Sequence, residues 1–366
     1  MDAENVGKAI AYLRKRAGYT QKDLADRIGI SDKAVSKWER GQGLPEIGYL
    51  RELSIILDTD TDSLLSGDVV HHDGSWYGVI VMDNNAPGIG AGTMIYDKPL
   101  INYLLCYFLL VGIKNIIITC TESDKKFIVS ELGNGEEYGI RISVVTNGMR
   151  GVALELNEWL SRSNSSAGDS PCVDDKNIMM VYGRCFLYGV DQTRFFQRAM
   201  INRNHFTMLV LPKKMSQCNN HILIDEQKRV INSNSDEPLR TQYDFTNIPI
   251  VFFPGEKLTE MTDLQNPSLI NDYISGQREL YVQVLDRGFV EIELDNWNDV
   301  QEASSFMRIV QNKCGMNVYC LEEVAWRRGM ISMNRLKDFG NKFKGTEYGD
   351  YIISIYERFN EMRNQQ

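Results

Sequence analysis

Three closely spaced glycines mark the stretch of this sequence that is best suited to binding phosphate. Residues 77–82 are almost all apolar, which indicates a buried strand, and Gly88, Gly90 and Gly92 follow it closely. Backbone N–H groups in a loop of this kind can converge on one anion, as they do in phosphate-binding loops between a strand and a helix. A glycine cluster on its own is also common in simple turns. The pattern therefore predicts either a phosphate loop or the remnant of one.

The charges around this loop do not favour a triphosphate. Between Arg51 and Lys98 the sequence has no arginine or lysine, whereas two acidic residues, Asp83 and Asp97, flank the glycine loop. Cationic stabilisation and positioning supply most of the acceleration in phosphoryl and nucleotidyl transfer. We therefore expect a degenerate ligand pocket to which the loop and the following turn contribute Gly88, Gly90, Asp97 and Lys98.

A second set of candidate functional residues lies near the N-terminus, in the stretch TQKDLADRIGISDKAVSKWERG at residues 20–41. Thr20 and Ser31 are typical N-cap residues, and Gly29 and Gly41 are typical helix stops, so two short helices joined by a tight turn are predicted. This is the geometry of a helix-turn-helix, whose second helix enters the major groove of DNA. Residues 8–40 hold nine Lys or Arg against four Asp or Glu, a local positive charge in a chain of net charge −9.

The same stretch resembles the XRE/Cro family of repressor-like DNA-binding domains, with the resemblance covering residues 6–66. The resemblance implies that the second helix presents five residues to the major groove: Ser31, Lys33, Ala34, Ser36 and Lys37. It also assigns a DNA contact to Gln21, at the start of the preceding helix. Arg40 and the basic residues 14–16 are placed for phosphates, which position a protein on DNA without reading its sequence. The alternative is a protein-interaction module that has kept the fold and lost DNA affinity.

Length and composition indicate two domains in an ordinary folded chain. The sequence has 366 residues, of which 43% are hydrophobic and 24% charged. Seven scattered cysteines and four histidines predict neither a disulfide framework nor a zinc site, and they favour reduced thiols in the cytoplasm. The longest apolar run, at 99–113, is too short for a membrane span. We expect a helix-turn-helix domain at 1–67, a linker at 68–76 and a larger domain at 77–366.

The larger domain has the pattern of an α/β fold. Apolar strands such as YGVIVM, NIIIT and NIMMVY alternate with apolar or amphipathic helices such as PLINYLLCYFLLVG. Strands that are apolar on both faces are typical of a parallel sheet covered on both sides. The sequence therefore predicts a Rossmann-like, mostly parallel sheet with helices on both faces and a helical C-terminal region.

The stretch IYDKPLINYLLCYFLLVGIKNIIITCTESDKKFIVSELGNGEEYGIRISVV is similar to the sugar-1-phosphate nucleotidyltransferases, and above all to those of the glucose-1-phosphate thymidylyltransferase kind. The similarity returns at CLEEVAWRRGMI and YGDYI and covers residues 77–355. It implies the nucleotide-diphospho-sugar transferase fold and an activity that joins a sugar 1-phosphate to a nucleoside triphosphate with magnesium, releasing pyrophosphate.

The positions that the resemblance assigns to chemistry are altered in this chain. The two metal-binding aspartates of the family correspond to Arg184 and Glu293, a glutamine corresponds to Leu154, and the sugar-phosphate lysine corresponds to Glu237. Arginine cannot ligate a metal because it is always charged and has no lone pair to donate. We expect either that Arg184 lies where the metal would and pairs with Glu293, or that it has simply drifted at the surface.

These observations predict a cytoplasmic DNA-binding transcriptional regulator whose effector domain no longer catalyses. The expected partners are a double-stranded DNA operator and a nucleotide sugar or a sugar phosphate, with no metal site, and the expected state is a homodimer or larger. One alternative is an active nucleotidyltransferase, with magnesium, that has an autoregulatory DNA-binding domain. Another is a scaffold for oligomerisation or for docking an active homologue.

Overall fold

A computed structural model describes residues 3–17, 19–57, 59, 61–66, 75–82, 87–163, 176–213, 223–224, 230–231, 244–264, 273–274, 276–277 and 279–364. The chain forms two compact units, one made of residues 1–71 and 191–201 and the other of residues 72–190 and 202–366. Most of the linker predicted at 68–76 lies outside the described residues.

The helices account for the whole first unit and cover the sheet of the second. In chain order they are α1 (Ala3–Arg16), α2 (Gln21–Ile28), α3 (Asp32–Glu39), α4 (Ile47–Ile56), α5 (Thr61–Ser66), α6 (Leu100–Leu110), α7 (Glu122–Leu132), α8 (Gly148–Ser163), α9 (Gln192–Ile201), α10 (Glu256–Glu260), α11 (Trp297–Cys314), α12 (Leu321–Arg327), α13 (Met333–Lys342) and α14 (Glu347–Asn364).

The strands are β1 (Trp76–Val81), β2 (Met94–Ile95), β3 (Lys98–Pro99), β4 (Asn115–Thr119), β5 (Arg141–Val145), β6 (Asn177–Tyr182), β7 (Cys185–Tyr188), β8 (Phe206–Lys213), β9 (Leu223–Ile224), β10 (Val230–Ile231), β11 (Asp244–Pro254), β12 (Leu280–Val284) and β13 (Val290–Glu293). Seven of them form the main sheet, in the order β12-β8-β11-β6-β1-β4-β5. The other described strands form the two-stranded pairs β10-β9, β13-β7 and β2-β3.

The helix boundaries of the first unit are encoded locally. The Thr20 hydroxyl accepts a hydrogen bond from the Asp23 N–H, and the Asp23 carboxylate accepts one from the Thr20 N–H, which makes a capping box at the start of α2. Gly29 ends α2 with φ +74, a conformation that glycine adopts without strain. Apolar side chains of α1 to α5 then pack into one core that includes Leu24 and Trp38.

The main sheet of the second unit is parallel apart from β11. The central strand β1 pairs in parallel with β4 and β6, whereas β11 runs antiparallel to β6 and β8. Helix α8 packs on the face of β1 that carries Val79. Gly78 points to the other face, where the absence of a side chain leaves room for Phe108 of α6. The predicted mostly parallel sheet with helices on both faces is therefore confirmed.

The longest apolar run of the sequence, at 99–113, contains the helix α6 (Leu100–Leu110), most of whose residues are buried. Within the described residues, no helix combines the length and apolar character needed to cross a membrane.

Candidate functional site

The predicted recognition helix is α3, and its outer face is polar and exposed. Ser31 is its N-cap, where the hydroxyl accepts a hydrogen bond from the Ala34 N–H at 3.3 Å. Lys33 and Lys37 are exposed, while Ala34 and Ser36 are half-buried beneath them. The face therefore presents two ammonium groups and a hydroxyl above small side chains, which leaves room for a base edge to approach.

Arg40 lies just beyond the end of α3 and is exposed. Its Nε donates to the Ser36 carbonyl at 3.1 Å, which orients the guanidinium along the helix. An exposed arginine beside Lys37 at the end of a recognition helix is suited to a backbone phosphate, as the sequence predicts.

Gln21 is held by a side chain of the recognition helix. Its amide donates to Oε2 of Glu39 at 2.7 Å, and Glu39 also binds Arg14 through Nε at 2.6 Å and Nη2 at 3.0 Å. The first residue of α2 is therefore fixed against the end of α3. This network was not apparent from the sequence, because its three members are far apart in it.

Arg14 corrects one sequence expectation. It is 8% exposed, and besides Glu39 its guanidinium donates to the Tyr19 carbonyl at 2.6 Å. Hydrogen bonding to Glu39 raises the pKa of Arg14, and burial opposes that effect only in part. Arg14 is thus an internal ion pair of the first unit and is not available to a DNA phosphate, while Lys15 of the same cluster is exposed.

The glycine loop of the second unit is occupied by the protein itself. The Ala91 N–H donates to Oδ1 of Asp124 at 2.8 Å, and the Gly90 N–H donates to the Thr93 hydroxyl at 2.9 Å. A methyl group on Gly90 would lie 2.4 Å from that carboxylate oxygen, so the missing side chain is what lets Asp124 approach. The carboxylate also accepts from the Thr121 hydroxyl at the start of α7. Of these two N–H groups of the predicted anion nest, one is therefore bound to an internal carboxylate and the other to an internal hydroxyl.

Gly88 lies at the outer end of the loop and faces a tryptophan that the sequence did not single out. It has φ +82, and a methyl group there would lie 3.6 Å from the indole of Trp297. Trp297 is the first residue of α11 and is 58% exposed. The sequence did not predict that an exposed indole lies beside the glycine loop, because the two residues are more than two hundred positions apart in the chain.

Asp97 and Lys98 do not belong to an open pocket. Lys98 is 2% exposed, and its ammonium binds both oxygens of Asp97 at 2.8 Å and the Asn317 amide oxygen at 3.2 Å. Asp97 also accepts from Gln311 of α11. The ammonium lies near the Tyr348 ring of α14 as well. These contacts fasten the C-terminal helices to the β2-β3 turn, so the placement of this pair in a ligand pocket is corrected.

Arg184 and Glu293 are brought together, which agrees with the first of the two alternatives expected for Arg184. Arg184 lies in the two-residue turn between β6 and β7, and its Nη2 is 3.3 Å from Oε1 of Glu293, the last residue of β13. Its Nη1 binds the carboxylate of Asp295, a partner that sequence reasoning missed. The Arg184 side chain is 23% exposed, against 45% for Glu293 and 51% for Asp295. One guanidinium therefore lies between two carboxylates.

This arrangement does not fit the magnesium that the resemblance implies. The two carboxylates that would supply oxygen ligands are both bound to Arg184, which is a permanent cation without a lone pair. Among the residues that the structure describes, no group of three His, Cys, Asp or Glu side chains is arranged to hold a metal ion.

Three further sequence positions were singled out. Leu154 lies on α8 and is 62% exposed, an apolar side chain at the position of the family's glutamine. Asp83 and Glu237 lie outside the described residues.

Comparison with known proteins supports both halves of this description. Residues 10–64 match the family model HTH_3, a helix-turn-helix. Over 276 residues the chain is 25% identical to a glucose-1-phosphate thymidylyltransferase of Neisseria meningitidis, and the match covers 72% of this chain and 91% of that protein. The corresponding enzyme of an Actinoplanes species is 24% identical over 269 residues, which cover 71% of this chain and 85% of that protein.

A crystal structure of a glucose-1-phosphate thymidylyltransferase from Bacillus anthracis, in complex with sucrose, superimposes with a TM-score of 0.47 and 13% identity. It covers 64% of this chain and 95% of the Bacillus chain. The chain therefore joins a helix-turn-helix domain of the HTH_3 family, at residues 10–64, to a region similar to the glucose-1-phosphate thymidylyltransferases.

Proposed function

We propose that this protein is a DNA-binding transcriptional regulator whose second unit is a catalytically inactive relative of sugar nucleotidyltransferases. The observation that carries the proposal is the guanidinium of Arg184 between Glu293 and Asp295, at the place where the resemblance puts the catalytic metal. The second unit then serves as a sensor for a nucleotide sugar or a sugar phosphate.

The DNA-binding part is supported by the charges of the first unit. Lys33, Lys37 and Arg40 are exposed along one short helix and its end, whereas Arg14 is neutralised by Glu39. Cations on a recognition helix release counterions from DNA, which supplies most of the non-specific affinity. The half-buried Ala34 and Ser36 let bases approach the helix closely, which is what specificity requires.

The loss of catalysis is supported by three separate features of the second unit. The loop N–H groups of Gly90 and Ala91 are taken by internal acceptors, Lys98 is buried, and Arg184 neutralises the carboxylates. Nucleotidyl transfer depends on cations and N–H donors that reach the phosphates. These groups are therefore committed inside the protein and are not available to a triphosphate.

Regulation requires that the ligand distinguish two states of the protein. A ligand changes DNA affinity only by the difference in its affinity for the DNA-bound and unbound states. Helix-turn-helix proteins commonly read two half-sites as dimers, so we propose a homodimer or larger assembly.

The test uses the full chain in two assays. First, genomic fragments retained by the protein are sequenced to find an operator, and its binding is measured with and without deoxythymidine and uridine diphosphate sugars. Second, pyrophosphate release from a nucleoside triphosphate and glucose 1-phosphate is followed with magnesium. We expect sequence-specific DNA binding, altered by one of the nucleotide sugars, and no pyrophosphate release.

Two outcomes would replace the proposal. Magnesium-dependent pyrophosphate release would identify an active nucleotidyltransferase with an autoregulatory DNA-binding domain, an alternative that the 91% coverage of the Neisseria enzyme favours. Specific DNA binding with no response to any nucleotide sugar or sugar phosphate, in a protein whose melting temperature these compounds do not change, would identify the second unit as a scaffold.

A further inference from the structure

The backbone fixes Arg184 beside its two carboxylates. Cys185, the next residue, pairs with Glu293 in the β7-β13 ladder, and the Leu294 N–H donates to the Arg184 carbonyl at 3.0 Å. Asp295 follows directly. Its own N–H donates to the Asp299 carboxylate in the first turn of α11, which fixes the backbone on the other side. The three charged side chains therefore start from backbone positions that cannot easily move apart.

Arg184, Glu293 and Asp295 differ in charge and in how far each side chain is exposed. Among the described residues, two carboxylates are bound to this guanidinium, and the guanidinium is less exposed than either of them. A chain that needed only a surface ion pair would gain little from this arrangement, because exposed pairs contribute little to stability. What the arrangement does achieve is to place a permanent cation between two carboxylates, whose oxygens are of the kind that divalent ions prefer.

We propose that Glu293 and Asp295 form a cation site that the chain occupies itself, with Arg184 as its resident cation. Arg184 thereby excludes divalent metal ions, and the pocket works without them. This inference rests on the proposed function, since an inactive sensor has no need of the metal that catalysis would demand.

The experiment measures metal binding directly, in the full chain, with terbium as the probe. Terbium prefers carboxylate oxygens, as calcium does, and it luminesces when an excited tryptophan lies close by. Trp297, two residues after Asp295, provides that tryptophan. Titrations compare the natural chain with Arg184→Asp, with Arg184→Gln and with Arg308→Asp, which makes the same charge reversal at an exposed position of α11. Manganese is then used to displace the terbium.

We expect Arg184→Asp to bind terbium at least about tenfold more tightly than the natural chain, since a cation is replaced by a third carboxylate. Arg184→Gln should show a smaller gain, and Arg308→Asp none. The signal of Arg184→Asp should fall when Trp297→Phe is added, which ties it to this site. If Arg184→Asp does not fold, as judged by circular dichroism, Arg184→Gln carries the test alone.

Either of two results would overturn the inference. Binding by the natural chain as tight as that of Arg184→Asp, with a signal that depends on Trp297, would mean that Arg184 does not exclude metal. Folded variants without any gain would mean that the carboxylates are not a cation site. Both results are distinguishable from a failure of the proposed function, because that proposal fails on pyrophosphate release or on the lack of specific DNA binding.

Discussion

Arg14 in the first unit and Arg184 in the second are both held by carboxylates, but their surroundings differ. Arg14 is 8% exposed and forms a two-point contact with a single carboxylate, Glu39, inside the helix-turn-helix. Arg184 lies between two carboxylates that are each about half exposed. The first pair supports a surface whose remaining cations point outward, whereas the second places a cation of the protein between two carboxylates. The same interaction thus prepares one region for a polyanion and closes the other to a metal ion.

The largest expected effect concerns the buried ion pair between Arg14 and Glu39. Glu39→Ala leaves the buried guanidinium of Arg14 without its carboxylate, and we expect the first unit to lose about 3–5 kcal/mol of unfolding free energy. Urea denaturation followed by circular dichroism measures the change. Asp26→Ala, which removes an exposed carboxylate from α2, is the control and should change stability little. A loss below about 1 kcal/mol for Glu39→Ala would show that Arg14 finds water or another acceptor, and the contrast with Arg184 would disappear.

The next effect concerns the outward-facing cations of the first unit. Lys33→Ala or Ser36→Ala should change sequence preference at a cost of about 1–3 kcal/mol on the operator, because these residues are placed for base edges. Lys37→Ala or Arg40→Ala should weaken binding to every DNA sequence, because these residues are placed for phosphates. Either change should also reduce the slope of log affinity against log salt concentration by about 1. Binding isotherms at several salt concentrations separate the two classes. An equal loss on every sequence for Lys33→Ala and Ser36→Ala would refute their base-reading role.

A smaller effect tests whether the glycine loop is closed by Asp124. Gly90→Ala should destabilise the second unit by about 1–2 kcal/mol, because its methyl group displaces the carboxylate from the Ala91 N–H. A double-mutant cycle with Asp124→Ala isolates the contact. In the Asp124→Ala background the Gly90→Ala change should cost almost nothing, and an undiminished cost there would place the strain elsewhere in the loop.

The smallest expected effect concerns the exposed ion pairs of Arg184 with Glu293 and Asp295. Arg184→Gln should change the unfolding free energy by less than about 1 kcal/mol, because its carboxylates remain hydrated when the guanidinium is gone. Thermal and urea denaturation of the full chain measure it. A loss as large as that of Glu39→Ala would mean that Arg184 is a structural ion pair, and its exclusion of metal would then be a by-product.

The sequence predicted features that depend on neighbouring residues. The caps at Thr20 and Ser31, the buried helix α6 and the apolar strands were readable because their signals lie within one turn or one strand. The pairing of Arg184 with Glu293 was readable only through resemblance, which aligned two distant motifs. The role expected for Arg14 was wrong because a basic side chain near the N-terminus looks the same in sequence whether it faces DNA or a buried glutamate.

The remaining site features depend on contacts that no local pattern encodes. Asp124 enters the glycine loop from a helix thirty-three residues away, and Trp297 reaches Gly88 from the far end of the chain. Lys98 was expected in a ligand pocket because the sequence shows that the residue is charged, but it does not show that the side chain is buried. Burial of a polar side chain is decided by the elements that cover it, here the C-terminal helices.

The central strand β1 has a consequence for the order in which the second unit opens. All six of its residues are buried, and it has a parallel partner on each side. Backbone amides in such a strand exchange with deuterium only when the unit unfolds as a whole, whereas amides in surface loops exchange through small local openings. Deuterium uptake by β1 therefore reports the global stability of this unit.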